Sequence, residues 1–254
     1  ILKTKMNAII IAAGSGKRIS RNIKEIPKSM VKINEKPIIE YQILALKQAG
    51  INDICVITGP YSEKFHSLDV TYVKDQNYEN HDILGSLMEA KKFLKNDTLV
   101  LYSDILFESN IIFQILESKE DISIAIDLNW REMYEGRTEH PTSEAENVLL
   151  NNNQKIIQIK KNIQNEKNNM GEFLGIMKFS SKGSEIFIKK YDELIKTHKG
   201  NFHEASSISK AYLTDMIQEL IDSHIDIEPI SISGKWCEID TIQDLDNAEK
   251  MFAY

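Results

Sequence analysis

Met6-Asn7-Ala8-Ile9-Ile10-Ile11-Ala12-Ala13-Gly14-Ser15-Gly16-Lys17-Arg18 passes from an apolar, β-branched run into small residues and then into two cations. Met6 to Ala12 has the composition of a buried strand. The glycines and Ser15 let the backbone approach a ligand and turn successive N–H groups toward anionic oxygens, and Lys17 and Arg18 complete an anion site. A strand that runs into such a loop is the opening unit of an open α/β sheet, whose ligands bind beyond the carboxyl ends of the strands. Two familiar loops are excluded. The P-loop requires Ser or Thr where Arg18 stands and Gly where Ile11 stands. The dinucleotide fingerprint requires a third glycine where Ile19 stands.

Outward from this unit, Ile54–Thr58, Val70–Val73, Thr98–Tyr102 and Ile122–Ile126 read as further buried strands. Helical periodicity fills the gaps over Pro37–Ala49, which opens on a proline and stops at Gly50, and over Leu84–Leu94 and Ile111–Leu116. This alternation predicts an α/β fold, a three-layer, mostly parallel sheet with helices on both faces. After about residue 127 the rhythm changes. Val148–Leu150 and Ile156–Ile159 read as a hairpin about Asn151-Asn152-Asn153, Phe173–Phe179 and Ile227–Ile232 as strands, and Ser184–Leu194, Ile208–Ile221 and Ile242–Phe252 as helices. The polar tract Asn162–Asn169 reads as a mobile loop. The expectation is one domain over residues 1–254, with an antiparallel insertion at about 128–178 covering the carboxyl edge of the sheet.

The 31 basic and 38 acidic residues leave a net charge of −7, which excludes general attraction to nucleic acid or anionic lipid. Phosphate chemistry must therefore be local. The two cysteines, Cys55 and Cys237, have no partners at metal-ligand spacing and read as buried thiols. The longest apolar run, Ala8–Ala13, falls far short of the roughly 20 residues a membrane span needs, and no signal-peptide region follows Ile1-Leu2-Lys3-Thr4-Lys5. A cytoplasmic protein without membrane insertion is expected. Membership of a fused polypeptide or of a homo-oligomer stays open.

Pro27-Lys28-Ser29-Met30 follows the glycine loop at a distance of ten residues. With Gly14, Gly16, Arg18, Pro27 and Lys28, the chain resembles the nucleotidyltransferase family that activates sugar phosphates and related phosphates with nucleoside triphosphates. The resemblance implies a Rossmann-like fold in which Ala12, Ala13, Gly14, Ser15, Gly16 and Lys17 wrap the nucleotide. It also implies that Arg18 binds the leaving pyrophosphate and that Lys28 neutralises charge near the reacting phosphorus.

Two carboxylates stand where strands end. Asp104 closes Thr98–Tyr102, and Asp240 belongs to Trp236-Cys237-Glu238-Ile239-Asp240-Thr241, where two acids spaced by two share one face of an extended strand. Asp104 reads equally as a turn residue and Asp240 as the cap of the last helix. In the resembled family the matching pair holds Mg2+, a cation suited to hard oxygen ligands.

A closer likeness, from Met6 to about Ala248, is to the phosphocholine and phosphonate cytidylyltransferases. It rests on Asn77-Tyr78-Glu79-Asn80, Gly85-Ser86-Leu87, Arg137-Thr138-Glu139-His140-Pro141, Glu144-Ala145-Glu146, Gly171–Gly175, Lys210–Asp215 and Trp236–Asp240. It implies CTP as donor, with Ser86 beside the base, and a small anionic acceptor under the insertion as a lid. Arg137, His140 and Lys160 are candidates for the acceptor's anionic group, and Glu144, Glu146 and Glu172 for a cationic amine or choline head. Trp130 and Tyr134 lie near enough in sequence to wall such a pocket. His81-Asp82-Ile83 departs from the choline-specific pattern, so 2-aminoethylphosphonate ranks ahead of phosphocholine. A sugar 1-phosphate, a phosphorylated amide, and a regulatory subunit that binds nucleotide without turnover are the alternatives.

Overall fold

The structure, a computed structural model, describes residues 6–14, 26–65, 67–164 and 169–253. Its elements are β1 (Asn7–Ala12), β2 (Lys32–Ile33), β3 (Lys36–Pro37), α1 (Ile38–Gln48), β4 (Asp53–Thr58), β5 (Thr71–Lys74), α2 (Ile83–Glu89), β6 (Thr98–Tyr102), β7 (Ile105–Phe107) and α3 (Asn110–Leu116). After these come β8 (Ile122–Asp127), β9 (Glu146–Leu150), β10 (Ile156–Lys161), β11 (Met170–Phe179), α4 (Ser181–Thr197), α5 (Leu213–Asp222), β12 (Glu228–Ser231), β13 (Trp236–Glu238) and α6 (Ile242–Met251). No helix among the described residues is long and apolar enough to cross a membrane.

Every residue of β1 is buried, and its neighbours β4 and β6 run parallel to it, with Ala8 opposite both Ile54 and Leu99. Burial on both faces explains why these strands are continuous apolar runs without alternation. The path through the main sheet is β10-β9-β11-β6-β1-β4-β5, with β8 against β11 and β12 against β8. Contacts within β6-β1-β4-β5 are parallel, whereas β11 is antiparallel to β6, β8 and β9. The segment 128–178 thus adds β9, β10 and most of β11 to the sheet itself.

Along β11, the register against β8 shifts between Phe173 and Met177. Gly175 sits in that irregularity at φ +68°, and the Tyr102 ring occupies the space a Cβ would take. Only glycine meets both demands without strain.

Helix ends follow local chemistry. The Ser180 hydroxyl accepts from the Gly183 N–H at 3.0 Å and caps α4. Thr241 and Asp244 form a capping box at the start of α6, so the cap is Thr241 and Asp240 is left for another role. The helix expected over Ile208–Ile221 is broken: a 3-10 turn at Ile208–Lys210 gives way to extended chain before α5. The carbonyls of Ser209 and Ala211 are used instead to accept the Asp82 and Leu84 N–H groups at the start of α2. Leu84–Leu94 likewise divides into α2 and a 3-10 turn at Lys91–Phe93. Cys55 and Cys237 are free and buried, and burial pushes both thiols up to about 12.

Candidate active site

Asp104 lies in the tight turn between β6 and β7. β7 does not extend the main sheet but pairs antiparallel with β13, setting Ile105 opposite Glu238, and the Ile239 N–H donates to the Asp104 carbonyl at 3.0 Å. This small ribbon brings the Glu238-Ile239-Asp240 run against Asp104 across 130-odd residues of chain. Lys28 enters from a 3-10 turn begun by Pro27, whose carbonyl accepts the Met30 N–H at 2.9 Å.

The Lys28 ammonium donates to Asp104 Oδ2 at 2.7 Å and to Asp240 Oδ1. His140, almost fully buried, places Nδ1 3.1 Å from Asp240 Oδ2 and Nε2 3.5 Å from Glu238 Oε2. Burial alone would favour neutral Lys28, but Asp104, Asp240 and Glu238 outweigh it and hold the amine above its ordinary range. Glu238 is pushed well above the usual carboxylate range, first by burial and then by the charges of Asp240 and Asp104.

Among the described residues, three carboxylates around one ammonium leave excess negative charge, and Asp104 Oδ1 is buried without a hydrogen-bond partner. Ligand atoms of His140, Glu238 and Asp240 also lie within 4.8 Å of one another. The carboxylate oxygens of Asp104, Glu238 and Asp240 fit a hard divalent cation such as Mg2+, whereas the His140 nitrogen does not suit that ion.

Beside this cluster is a cavity of about 90 Å³ lined by Tyr102, Asp104, His140, Glu144, Glu146, Lys161, Glu172, Phe173, Tyr212, Trp236, Glu238 and Asp240, with Ile83 and Ile105. Glu172 is 4% exposed and its Oε1 accepts from the Tyr134 hydroxyl at 2.6 Å. Burial pushes Glu172 up to about 8 and Glu146 up to about 7. Lys161 pairs with Glu144 at 3.1 Å.

The structure brings together Lys28, Asp104, Asp240, His140, Glu144, Glu146 and Glu172 from the sequence-derived set. Ala12 and Ala13 end β1 and its extension in buried positions, with Gly14 exposed after them. Ser86, on α2, donates to Asp75 Oδ2 at 2.7 Å, and the Asp75 N–H donates to the Thr58 carbonyl at 2.8 Å, beside Ala12. Ser15, Gly16, Lys17 and Arg18 lie outside the described residues.

Two expected acceptor residues, Arg137 and Lys160, do not line this cavity, although Arg137 Nη2 approaches Glu238 Oε2 at 3.9 Å. Arg137 Nε donates to Asp244 Oδ1 at 2.8 Å and its guanidinium stacks 4.8 Å from the Tyr134 ring centre, so it braces α6 against the 3-10 turn Trp130–Tyr134. Lys160 pairs with Glu204 at 3.6 Å, and it is Lys161 that lines the cavity. The register shift between Ile156 and Gln158 in β10 moves the alternation by one residue, which strict period-two counting cannot detect. Trp130 and Tyr134 pack edge to face behind Glu172 instead of lining the cavity. Glu238 was recognisable from its spacing of two from Asp240, whereas Asp75 carried no signal of its own.

An α/β sheet of this order, with a basic residue and converging carboxylates at the carboxyl end of its first parallel strands, defines a nucleotidyltransferase. The chain belongs to the MobA-like NTP transferase family, whose model matches residues 8–142. It is 29% identical over 252 residues to the CTP:phosphoglutamine cytidylyltransferase of Campylobacter jejuni, covering 95% of this chain and 98% of that one. It is 34% identical over 116 residues to the 2-aminoethylphosphonate cytidylyltransferase of Lancefieldella rimae, covering 43% of this chain and 47% of that one. The fold matches that of the CTP:phosphocholine cytidylyltransferase of Streptococcus pneumoniae with a TM-score of 0.70 at 24% identity, covering 97% and 98% of the two chains.

Proposed function

We propose that the chain is a magnesium-dependent cytidylyltransferase that moves CMP from CTP to a small phosphonate or phosphate and releases pyrophosphate. One observation carries the reading: Asp104, Glu238 and Asp240 gather around Lys28 at the carboxyl edge of the parallel strands. An acceptor oxygen that is anionic at neutral pH attacks the α-phosphorus in line, the bond to pyrophosphate breaks, and no proton has to be removed. Lys28, fixed in its charged form, offsets the negative charge that collects at the phosphorus. Asp104 and Asp240, with Glu238 beside them, would hold Mg2+, which when bound supplies Lewis-acid stabilisation of the phosphoryl oxygens. Arg18 completes the proposal on the pyrophosphate side and Ser86, with the Ala12 and Ala13 backbone, on the base side.

Among acceptors, 2-aminoethylphosphonate ranks first and phosphocholine second, and the product would be an activated head group for a surface glycan or lipid. The likeness along nearly the whole length to the phosphoglutamine enzyme supports a second reading, in which the acceptor is a phosphorylated amide. The test is pyrophosphate release from purified protein with Mg2+ and CTP against these acceptors, with glucose 1-phosphate and UTP or dTTP as the contrast. Turnover with CTP and one of the three acceptors is expected. Turnover confined to the sugar phosphate, or none with any acceptor, would overturn the reading.

A further inference from the structure

Glu172 and Glu146 present buried acceptor atoms that no described residue satisfies at hydrogen-bond geometry. Glu172 stands on β11 next to Asn147 of β9, and Glu146 opens β9. Among the described residues, Tyr134 engages one Glu172 oxygen and Glu172 Oε2 is left buried with no hydrogen-bond partner; Glu146 Oε2 is also buried without one, and the Tyr102 hydroxyl lies beside that carboxyl. Lys161, opposite Glu146 in the ladder, directs its amine to Glu144 at the rim. A carboxylate only accepts hydrogen bonds once ionised, so two such oxygens in a small cavity require a ligand that donates. The same cavity is also lined by Asp104, Glu238 and Asp240, so a ligand bound in it has both these two glutamates and the proposed reacting centre within its walls.

We propose that the acceptor carries a primary ammonium group whose N–H bonds pair with Glu172 and Glu146, and that a quaternary ammonium is rejected. This rests on the nucleotidyl-transfer reading above and narrows it. A primary ammonium has three N–H donors and a positive charge, matching both orphan oxygens. A trimethylammonium has the charge but no N–H, and would bury both oxygens unpaired. 2-Aminoethylphosphonate and a phosphorylated amide of an amino acid carry the required group, whereas phosphocholine does not.

Phosphoethanolamine and phosphocholine, which differ only by three methyl groups, form the matched probe pair. With Mg2+ and CTP, kcat/KM for phosphoethanolamine should exceed that for phosphocholine by at least about 100-fold, because a site built to accept N–H bonds rejects the analogue lacking them. Glu172→Gln should raise the KM for phosphoethanolamine about tenfold or more while leaving the KM for CTP unchanged. Values for the two acceptors within about threefold of each other, or an unchanged acceptor KM in folded Glu172→Gln, would overturn the inference. Calorimetric titration of the pair reads the preference without turnover. Selective binding of phosphoethanolamine with no pyrophosphate release would overturn the reaction and leave the ammonium site standing, whereas equal binding or none would overturn the site.

Discussion

Lys28 holds apart carboxylates that would otherwise repel one another, so the two sides of that contact should respond differently to substitution. Lys28→Met leaves Asp104, Asp240 and Glu238 facing each other without a cation, and should cost about 3 kcal/mol of stability as well as activity, measured by urea unfolding. Asp104→Asn removes one of the repelling charges. It should keep the melting temperature within about 4 °C of the parent. Its kcat should nevertheless fall by at least about 100-fold, read by pyrophosphate release, and unimpaired turnover would remove Asp104 from the reacting centre. Glu172 adds a pH dependence. Facing Tyr134, Arg137, Glu146 and Asp127, it is displaced upward from 4.5 to about 8, so the folded chain binds a proton that the unfolded chain releases. Stability is therefore greatest below the unfolded value and declines as pH rises through about 8. The melting temperature of ligand-free protein should fall across that window, and Glu172→Gln should flatten the fall.

Strand β11 shows how an element transmits its own geometry to the site. Gly175 at φ +68° lets Tyr102 pack closely, and Tyr102 lies two residues before Asp104. Gly175→Ala should destabilise the fold by about 1–3 kcal/mol through strain and overpacking, and should lower kcat by displacing the end of β6. Thermal unfolding alongside steady-state kinetics checks both effects, and a variant with parental values in each would show that the bulge is idle. Legibility also divides by element. β1, β4 and β6 were readable because burial on two faces imposes unbroken apolar runs. The periodicity of Ile208–Ile221 is continuous and predicts one helix, while what breaks it is the hydrogen bonding of its carbonyls to the N–H groups of α2, far away in sequence. Lys160 is a candidate from the sequence and Lys161 carries no signal there, because which of the two lines the cavity depends on a β10 register that shifts between Ile156 and Gln158.

Across the whole molecule, the proposed reacting centre joins the main parallel sheet to the separate β7–β13 ribbon. Strand ends marked Asp104 and Asp240 individually, but their meeting depends on a pairing between Ile105–Phe107 and Trp236–Glu238 that no local pattern encodes. A ligand that binds across this junction stabilises the folded state by mass action. Mg2+ and CTP at about 100 times the dissociation constant should add about 2.7 kcal/mol to the unfolding free energy. Chelation with EDTA should abolish both that gain and pyrophosphate release, and added Mg2+ should restore them. Retention of full activity in EDTA would remove the metal from the proposal.

The β7–β13 ribbon also sets an order of events during synthesis. Chains emerge from the ribosome amino end first, at roughly 5–20 residues per second, and early segments begin to fold while later ones are still unmade. Asp104 is translated long before Glu238 and Asp240, so Lys28 has only one of its three neighbouring carboxylates through most of the growth of the chain. A nascent polypeptide stalled anywhere before residue 236 would contain the first parallel strands yet lack two of the carboxylates proposed to hold the metal. Activity should switch on late and abruptly, when Trp236–Asp240 clears the exit tunnel and docks on the waiting edge of β7.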